Sequence, residues 1–200
     1  MRTSLALALL AATLGGCSST FRNGGEDDSA TSGDGGAGPD GNGLPDLQAT
    51  LATGDCEEVP TGEGDTHPGA DAYFVGNYED GSGGWTGTEL WLLYANQAWK
   101  DAGGSDCVVT WGTGATEGSP TACANCDFSL AVVATLDESE TTCDKGLWED
   151  ELNWSVGYDV KINDDETTDW YFGTSGAQFA SGYSDSNSLN FVTSHTCTWF

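Results

Sequence analysis

Six cysteines, Cys56, Cys107, Cys123, Cys126, Cys143 and Cys197, have the most chemistry to offer, and two of them form the close pair Cys123-Ala124-Asn125-Cys126. That spacing serves a redox dithiol or half of a zinc site. A reactive dithiol needs its first thiol at a helix N-terminus, where the dipole favours the thiolate, but Asp127-Phe128-Ser129-Leu130-Ala131-Val132-Val133 follows with the pattern of a strand. A zinc site needs a second close pair, and Cys107 and Cys143 stand apart with neither histidine near them in sequence. Structural disulfides are therefore expected at all six. The pairing expected joins Cys107 and Cys143 to Cys123 and Cys126, with Cys56 and Cys197 closing the ends.

Carboxylates and tryptophans are the remaining candidates. Asn163-Asp164-Asp165-Glu166 with Asp169 is an oxygen-rich turn that could hold calcium. Asp40-Gly41-Asn42-Gly43-Leu44-Pro45-Asp46 resembles the calcium loops of thrombospondin type 3 and EF-hand-like repeats, but Gly38 and Ala49 stand where that resemblance requires acids, so it reads as linker. Trp91, Trp111 and Trp154 lie in strand-like runs and belong to a core. Trp85 in a glycine-rich turn and Trp148 beside Glu149 and Asp150 are the candidates for an exposed ligand platform, similar to the sugar-stacking faces of carbohydrate-binding modules. No nucleophile elbow, zinc-protease helix, phosphate loop or dinucleotide fingerprint occurs. Glu89, Glu149 or Glu151 could serve a carboxylate-dependent hydrolase, the third reading after a structural or binding role and a carbohydrate-binding module. No enzyme is expected.

At the start of the chain Arg2 and the apolar run Leu5 to Leu14 precede Leu14-Gly15-Gly16-Cys17. A bilayer span needs roughly 20 apolar residues, so this shorter run reads as a signal peptide. The sequence around Cys17 resembles the lipobox of bacterial lipoproteins. The resemblance implies cleavage before Cys17, acylation there, and, with Ser18 rather than aspartate following, sorting to the outer membrane of a Gram-negative bacterium. It also implies attachment to the membrane through acyl chains alone. Residues 1–16 are thus expected to be the signal peptide, 17–53 a disordered Gly/Asp/Ser-rich tether and 54–200 the folded domain. The tether, almost without aromatics, cannot offset its ordering entropy; its reach is about 30–36 Å.

The domain carries all eight Trp, all six Tyr and six of the seven Cys. The whole chain has 32 acidic against five basic residues, a net charge of −27, and only Lys100, Lys145 and Lys161 fall in the domain. Such a surface repels phosphate backbones, which excludes nucleic acid and leaves a glycan or protein as ligand.

These residues must be positioned by strands. Leu152, Trp154, Val156, Tyr158, Val160 and Ile162 alternate with polar or small residues, a period of two. Similar runs cover Tyr73 to Tyr78, Thr88 to Tyr94, Cys107 to Trp111, Asp127 to Leu136, Trp170 to Phe172, Ala177 to Tyr183 and Leu189 to Trp199, with glycine- and aspartate-rich turns between them. Only Ala95 to Asp101 suggests a helical turn. The pattern predicts an all-β, disulfide-stapled domain, an antiparallel β-sandwich or jelly-roll-like fold, with a closed barrel as the alternative. Leu189, Phe191, Thr193, His195, Cys197 and Trp199 share one parity, which predicts a core histidine at 195.

Overall fold

The computed structural model describes residues 44–53, 56 and 68–199. The expected signal peptide, Cys17 and the tether up to residue 43 lie outside the described residues. Nine strands form one antiparallel sheet: β1 (Gly69–Gly81), β2 (Gly84–Ala95), β3 (Cys107–Gly118), β4 (Phe128–Leu136), β5 (Asn153–Ile162), β6 (Thr167–Phe172), β7 (Gln178–Tyr183), β8 (Ser188–Thr193) and β9 (Thr196–Trp199). Neighbours in sequence are neighbours in space from β1 to β8, and β1 pairs with both β2 and β8. The sheet closes on itself as an eight-stranded barrel with β9 as an extra strand. The all-β antiparallel domain expected from the alternating patterns is present, in the closed-barrel arrangement. Closure leaves few exposed strand edges.

Alternation decides what fills the barrel. Tyr78, Leu130, Val132, Tyr158, Val160, Trp170, Leu189 and Phe191 pack one half of the interior, and Ala72, Trp91, Leu93, Val109, Trp111 and Ala134 pack the other. Phe74 and Trp154 touch both. An eight-stranded barrel is just wide enough to be filled by its own side chains, and here aromatic rings do so. Trp170 lies 4.7 Å from Phe191, Tyr158 5.0 Å from Phe179, and Phe172 4.2 Å from Phe179, centroid to centroid. Gly76 makes room: a Cβ there would stand 2.2 Å from the Phe191 ring.

Helix α1 (Gln97–Asp101) is short and capped by the Asn96 side chain, which accepts from the Trp99 N–H at 2.9 Å. Residues 44–52 form a strap across the outside of β1 and β2. Leu44 and Leu47 are buried, Leu51 packs against Tyr73, Val75 and Leu92, and the Tyr73 hydroxyl donates to the carbonyl of Ala52. Asn190 donates to the carbonyl of Pro45 at 3.2 Å. Packed structure therefore begins at least by Leu44, inside the segment expected to be tether. The three leucines at Leu44, Leu47 and Leu51 supply enough apolar surface to hold a segment whose overall composition suggested only a linker.

The disulfides are Cys56–Cys197, Cys107–Cys143 and Cys123–Cys126. The first is the pairing expected, while the close pair is joined within itself and not to Cys107 and Cys143. Strand register gives the reason. Cys107 opens β3, and the chain after β4 returns along it, where Thr142 and Cys143 both donate to the carbonyl of Val108.

Candidate functional site

A one-residue irregularity in the barrel wall builds a cluster of His195, Asp71, Cys56 and Cys197. Val75 faces Val192 and Ala72 faces Thr196, so the two residues Tyr73 and Phe74 oppose the three residues Thr193, Ser194 and His195. This is a β-bulge, a device that re-aims side chains. The N–H of Phe74 finds Oγ1 of Thr193 at 3.0 Å. Beyond the bulge the parity flips, so Cys197 pairs with outward-facing Asp71, not with the inward set of Phe191. The core face expected for His195 and Cys197 ends at the bulge.

His195 Nε2 lies 2.7 Å from Asp71 Oδ1 and 3.1 Å from Cys56 Sγ, with Cys197 Sγ at 3.9 Å. Asp71 is nearly sealed from solvent and also accepts from the Cys56 N–H at 3.2 Å. Asn96 donates to the carbonyl of Cys56 at 3.3 Å and accepts from the Gly69 N–H at 3.1 Å. The Tyr73 ring centroid is 5.7 Å from the imidazole. Cys56 is fully buried whereas Cys197 is exposed. Among the described residues, Cys56, His195 and Cys197 are the only three or more His, Cys, Asp or Glu side chains with ligand atoms all within 4.8 Å of one another.

The Cys123–Cys126 loop is organised differently. It folds over β5, where the Asp159 carboxylate accepts from the backbone N–H groups of Thr121 at 2.9 Å, Ala122 at 2.7 Å and Cys123 at 2.8 Å. Burial pushes the Asp159 carboxyl up, but the N–H donors of Ala122, Thr121 and Cys123 together outweigh it and hold the group below its ordinary value. The carboxylate pins the loop and brings negative charge to the disulfide.

Inside the barrel Glu89 has no solvent contact, and burial raises its carboxyl to about 8 against the lowering by hydrogen bonds from Tyr78 and Tyr158. The Tyr78 hydroxyl donates to Oε1. Glu89 Oε2, Trp91 Nε1 and Thr113 Oγ1 are buried without a hydrogen-bond partner. The group is walled off by the core, so it cannot meet a substrate from outside.

On the outer surface β1 to β4 form a shallow trough of about 670 Å³ lined by Asn77, Glu79, Thr86, Thr88, Gly112 and Thr135, with Gly114 and Val133 beside them. A Cβ on Gly114 would meet nothing within 4 Å, so the bare backbone there is open space.

The two platform tryptophans are not together. Trp148 is buried, 8% exposed, packs in the half of the interior around Trp91 and Trp111, and donates through Nε1 to the carbonyl of Cys143 at 2.8 Å. Its two acidic neighbours in sequence misled because they point to solvent while the indole turns inward. Trp85 is half-buried in the other half, its ring parallel to Phe128 at 6.3 Å. Around the expected calcium turn, Asp165 accepts from Thr167 and Asp169 accepts from Gln178 at 2.9 Å and from Asn163 at 3.3 Å. Asp164, Asp165, Glu166 and Asp169 do not gather three ligand atoms within 4.8 Å. Of the hydrolase candidates, Glu89 is sealed in the barrel and Glu149 lies exposed beyond β4, so they share no cleft. Asp71, Asp159 and the trough were not anticipated; the inward parity of Glu89 with Trp91 and Leu93 was readable from alternation alone.

Comparison of the chain with protein-family models, with curated proteins and with solved structures gives no match.

Proposed function

We propose that the chain is a membrane-anchored lipoprotein, acylated at Cys17, whose acidic barrel stands outside the cytoplasm of a Gram-negative bacterium in a structural or binding role. The observation that carries the binding reading is the filled barrel. Rings of Trp170, Phe191, Tyr158 and Trp154 fill the interior among the described residues, which favours recognition on the outer wall. Three disulfides support an oxidising compartment.

The trough on β1 to β4 favours a glycan as the ligand. Its threonines and Asn77 supply hydroxyl and amide partners, Val133 at 61% exposure supplies an apolar patch, and Glu79 lines it beside them. Such a mixture suits a hydroxyl-rich, uncharged chain, whereas the net charge of −27 opposes an anionic one.

Two measurements test this. Cys17→Ser should move the full-length protein from the membrane to the soluble fraction and abolish fatty-acid labelling; unchanged labelling overturns the anchor. The soluble Cys17→Ser protein should bind a subset of neutral oligosaccharides on an array, and Gly112→Tyr with Gly114→Tyr, which fill the trough from positions with room for a side chain, should abolish that binding. Equal binding after filling removes the trough from the reading.

A further inference from the structure

We propose that Cys56–Cys197 is a thiol-exchange centre: a small thiolate attacks Sγ of Cys197, forming a mixed disulfide there, and Cys56 leaves as a thiolate received by His195. This goes beyond the anchored-domain reading and does not depend on it.

Exchange requires an accessible sulfur to attack and a stabilised sulfur to leave. The two ends of this bond divide those tasks. Cys197 is exposed in the short strand β9, and Cys56 has no exposed surface. His195 Nε2 stands 3.1 Å from Sγ of the buried Cys56 and 3.9 Å from Sγ of the exposed Cys197. A proton carried on Nε2, which lies 2.7 Å from Asp71 Oδ1, would also be within reach of Cys56 Sγ at 3.1 Å. Asp71 orients the imidazole, and its second bond, from the Cys56 N–H at 3.2 Å, fixes the leaving residue. The bulge at Thr193, Ser194 and His195 is what turns the ring toward this bond.

The step balances. The thiolate's lone pair forms the new S–S bond to Cys197, the electron pair of the old bond goes to Cys56 Sγ, and an imidazolium at His195 passes its Nε2 proton to that sulfur, leaving a neutral imidazole, or keeps the proton and forms an ion pair with the thiolate. With a dithiol as reductant, its second thiol displaces Cys197, giving two protein thiols and a cyclic disulfide, with two electrons and two protons supplied by the dithiol.

The other two disulfides lack this arrangement. Among the described residues no histidine side chain is bonded to either. Cys143 is buried under Trp148, and the carboxylate of Asp159, bonded to the Cys123 N–H at 2.8 Å, would oppose a thiolate at Cys123.

Cysteamine is the probe, because its ammonium group offsets the repulsion that the acidic surface imposes on anionic thiols such as glutathione. Folded, full-length Cys17→Ser protein is incubated with cysteamine at neutral pH, quenched by alkylation and mapped by peptide mass spectrometry. The expected early product carries cysteamine on Cys197 and the alkyl group on Cys56. His195→Gln, which keeps a hydrogen-bonding side chain, should slow its formation at least tenfold while the thermal midpoint of the oxidised protein stays close to the parent. In denaturant the two proteins should react at the same rate, since the cluster is then dispersed. Adducts on Cys56 instead of Cys197, no adduct at either residue, or equal folded-state rates in parent and His195→Gln would each overturn the proposal.

Discussion

The Tyr78 hydroxyl donates to Oε1 of Glu89 inside the barrel, so a carboxyl without solvent contact is partnered by a neutral phenol and not by a cation. Burying a charge unpaired is costly, and a carboxyl in that position takes up a proton instead. The folded state holds Glu89 at about 8 against an ordinary value of 4.5.

Stability should therefore fall with rising pH in a defined window. The folded chain binds a proton that the unfolded chain releases, so the contribution of Glu89 is complete below about 4.5, declines as pH rises, and is gone above about 8. Glu89→Gln should flatten the thermal midpoint between pH 6 and 9, and at pH 9 should raise stability by about 1 kcal/mol or more, since a tenfold change in proton affinity on folding corresponds to roughly 1.4 kcal/mol. Parallel pH profiles for parent and variant would show that Glu89 is ionised throughout.

The disulfides should rank by the loop each closes. Sequence separations are 141 for Cys56–Cys197, 36 for Cys107–Cys143 and 3 for Cys123–Cys126. Chain entropy assigns them about 5, about 4 and about 2 kcal/mol. Paired Cys→Ser variants, unfolded in urea, should lose stability in that order, and a larger loss at Cys123–Cys126 than at Cys56–Cys197 would contradict it.

Trp148 should behave as core. Trp148→Ala should cost about 3–5 kcal/mol, the range for a large buried aromatic, and single-Trp fluorescence at this position should resist iodide quenching. Ready quenching in the folded protein would return Trp148 to the surface.

The strap is a further test of where the domain begins. A chain that starts at Gly54 lacks Leu44, Leu47 and Leu51 and uncovers Tyr73, Val75 and Leu92. It should be less stable and bind more hydrophobic dye than one that retains the residues before Leu44, and Leu47→Ala alone should cost about 2 kcal/mol or more. Identical melting of the two chains would mean that the strap contributes nothing.

Calcium should act only as an electrolyte. The carboxylates at Asp165 and Asp169 are occupied by Thr167, Gln178 and Asn163. Melting curves in calcium and magnesium should superimpose on those in sodium chloride of equal ionic strength, because screening depends on ionic strength and not on the ion. A saturable calcium-specific shift would reveal a site.

Alternation made the strands legible: Trp154, Val156, Tyr158 and Val160 point inward as their period of two requires. The same rule could not find the bulge, because one extra residue in β8–β9 changes no local pattern and is visible only against the register of β1. The site at His195 was hidden for that reason. Sandwich and barrel differ only in whether β1 meets β8 as well as β2, a long-range pairing that composition and spacing do not encode. Cys123–Cys126 was misassigned because an expectation that cysteines are oxidised does not say which neighbour each one meets.

Cys56 stands between the strap and the barrel, and its bond to Cys197 has a mechanical consequence. Tension applied to the chain ahead of Leu44 would first peel the leucines from the outer wall. It would then reach Cys56 and be handed covalently to β9, which lies alongside Gly69–Ala72, so the pull is shared between both ends of the domain and does not fall on the first pairs of β1 alone. The joint works as a strain relief for any pull arriving from ahead of Leu44, and opening that single bond would pass such a pull directly to the strand that closes the barrel.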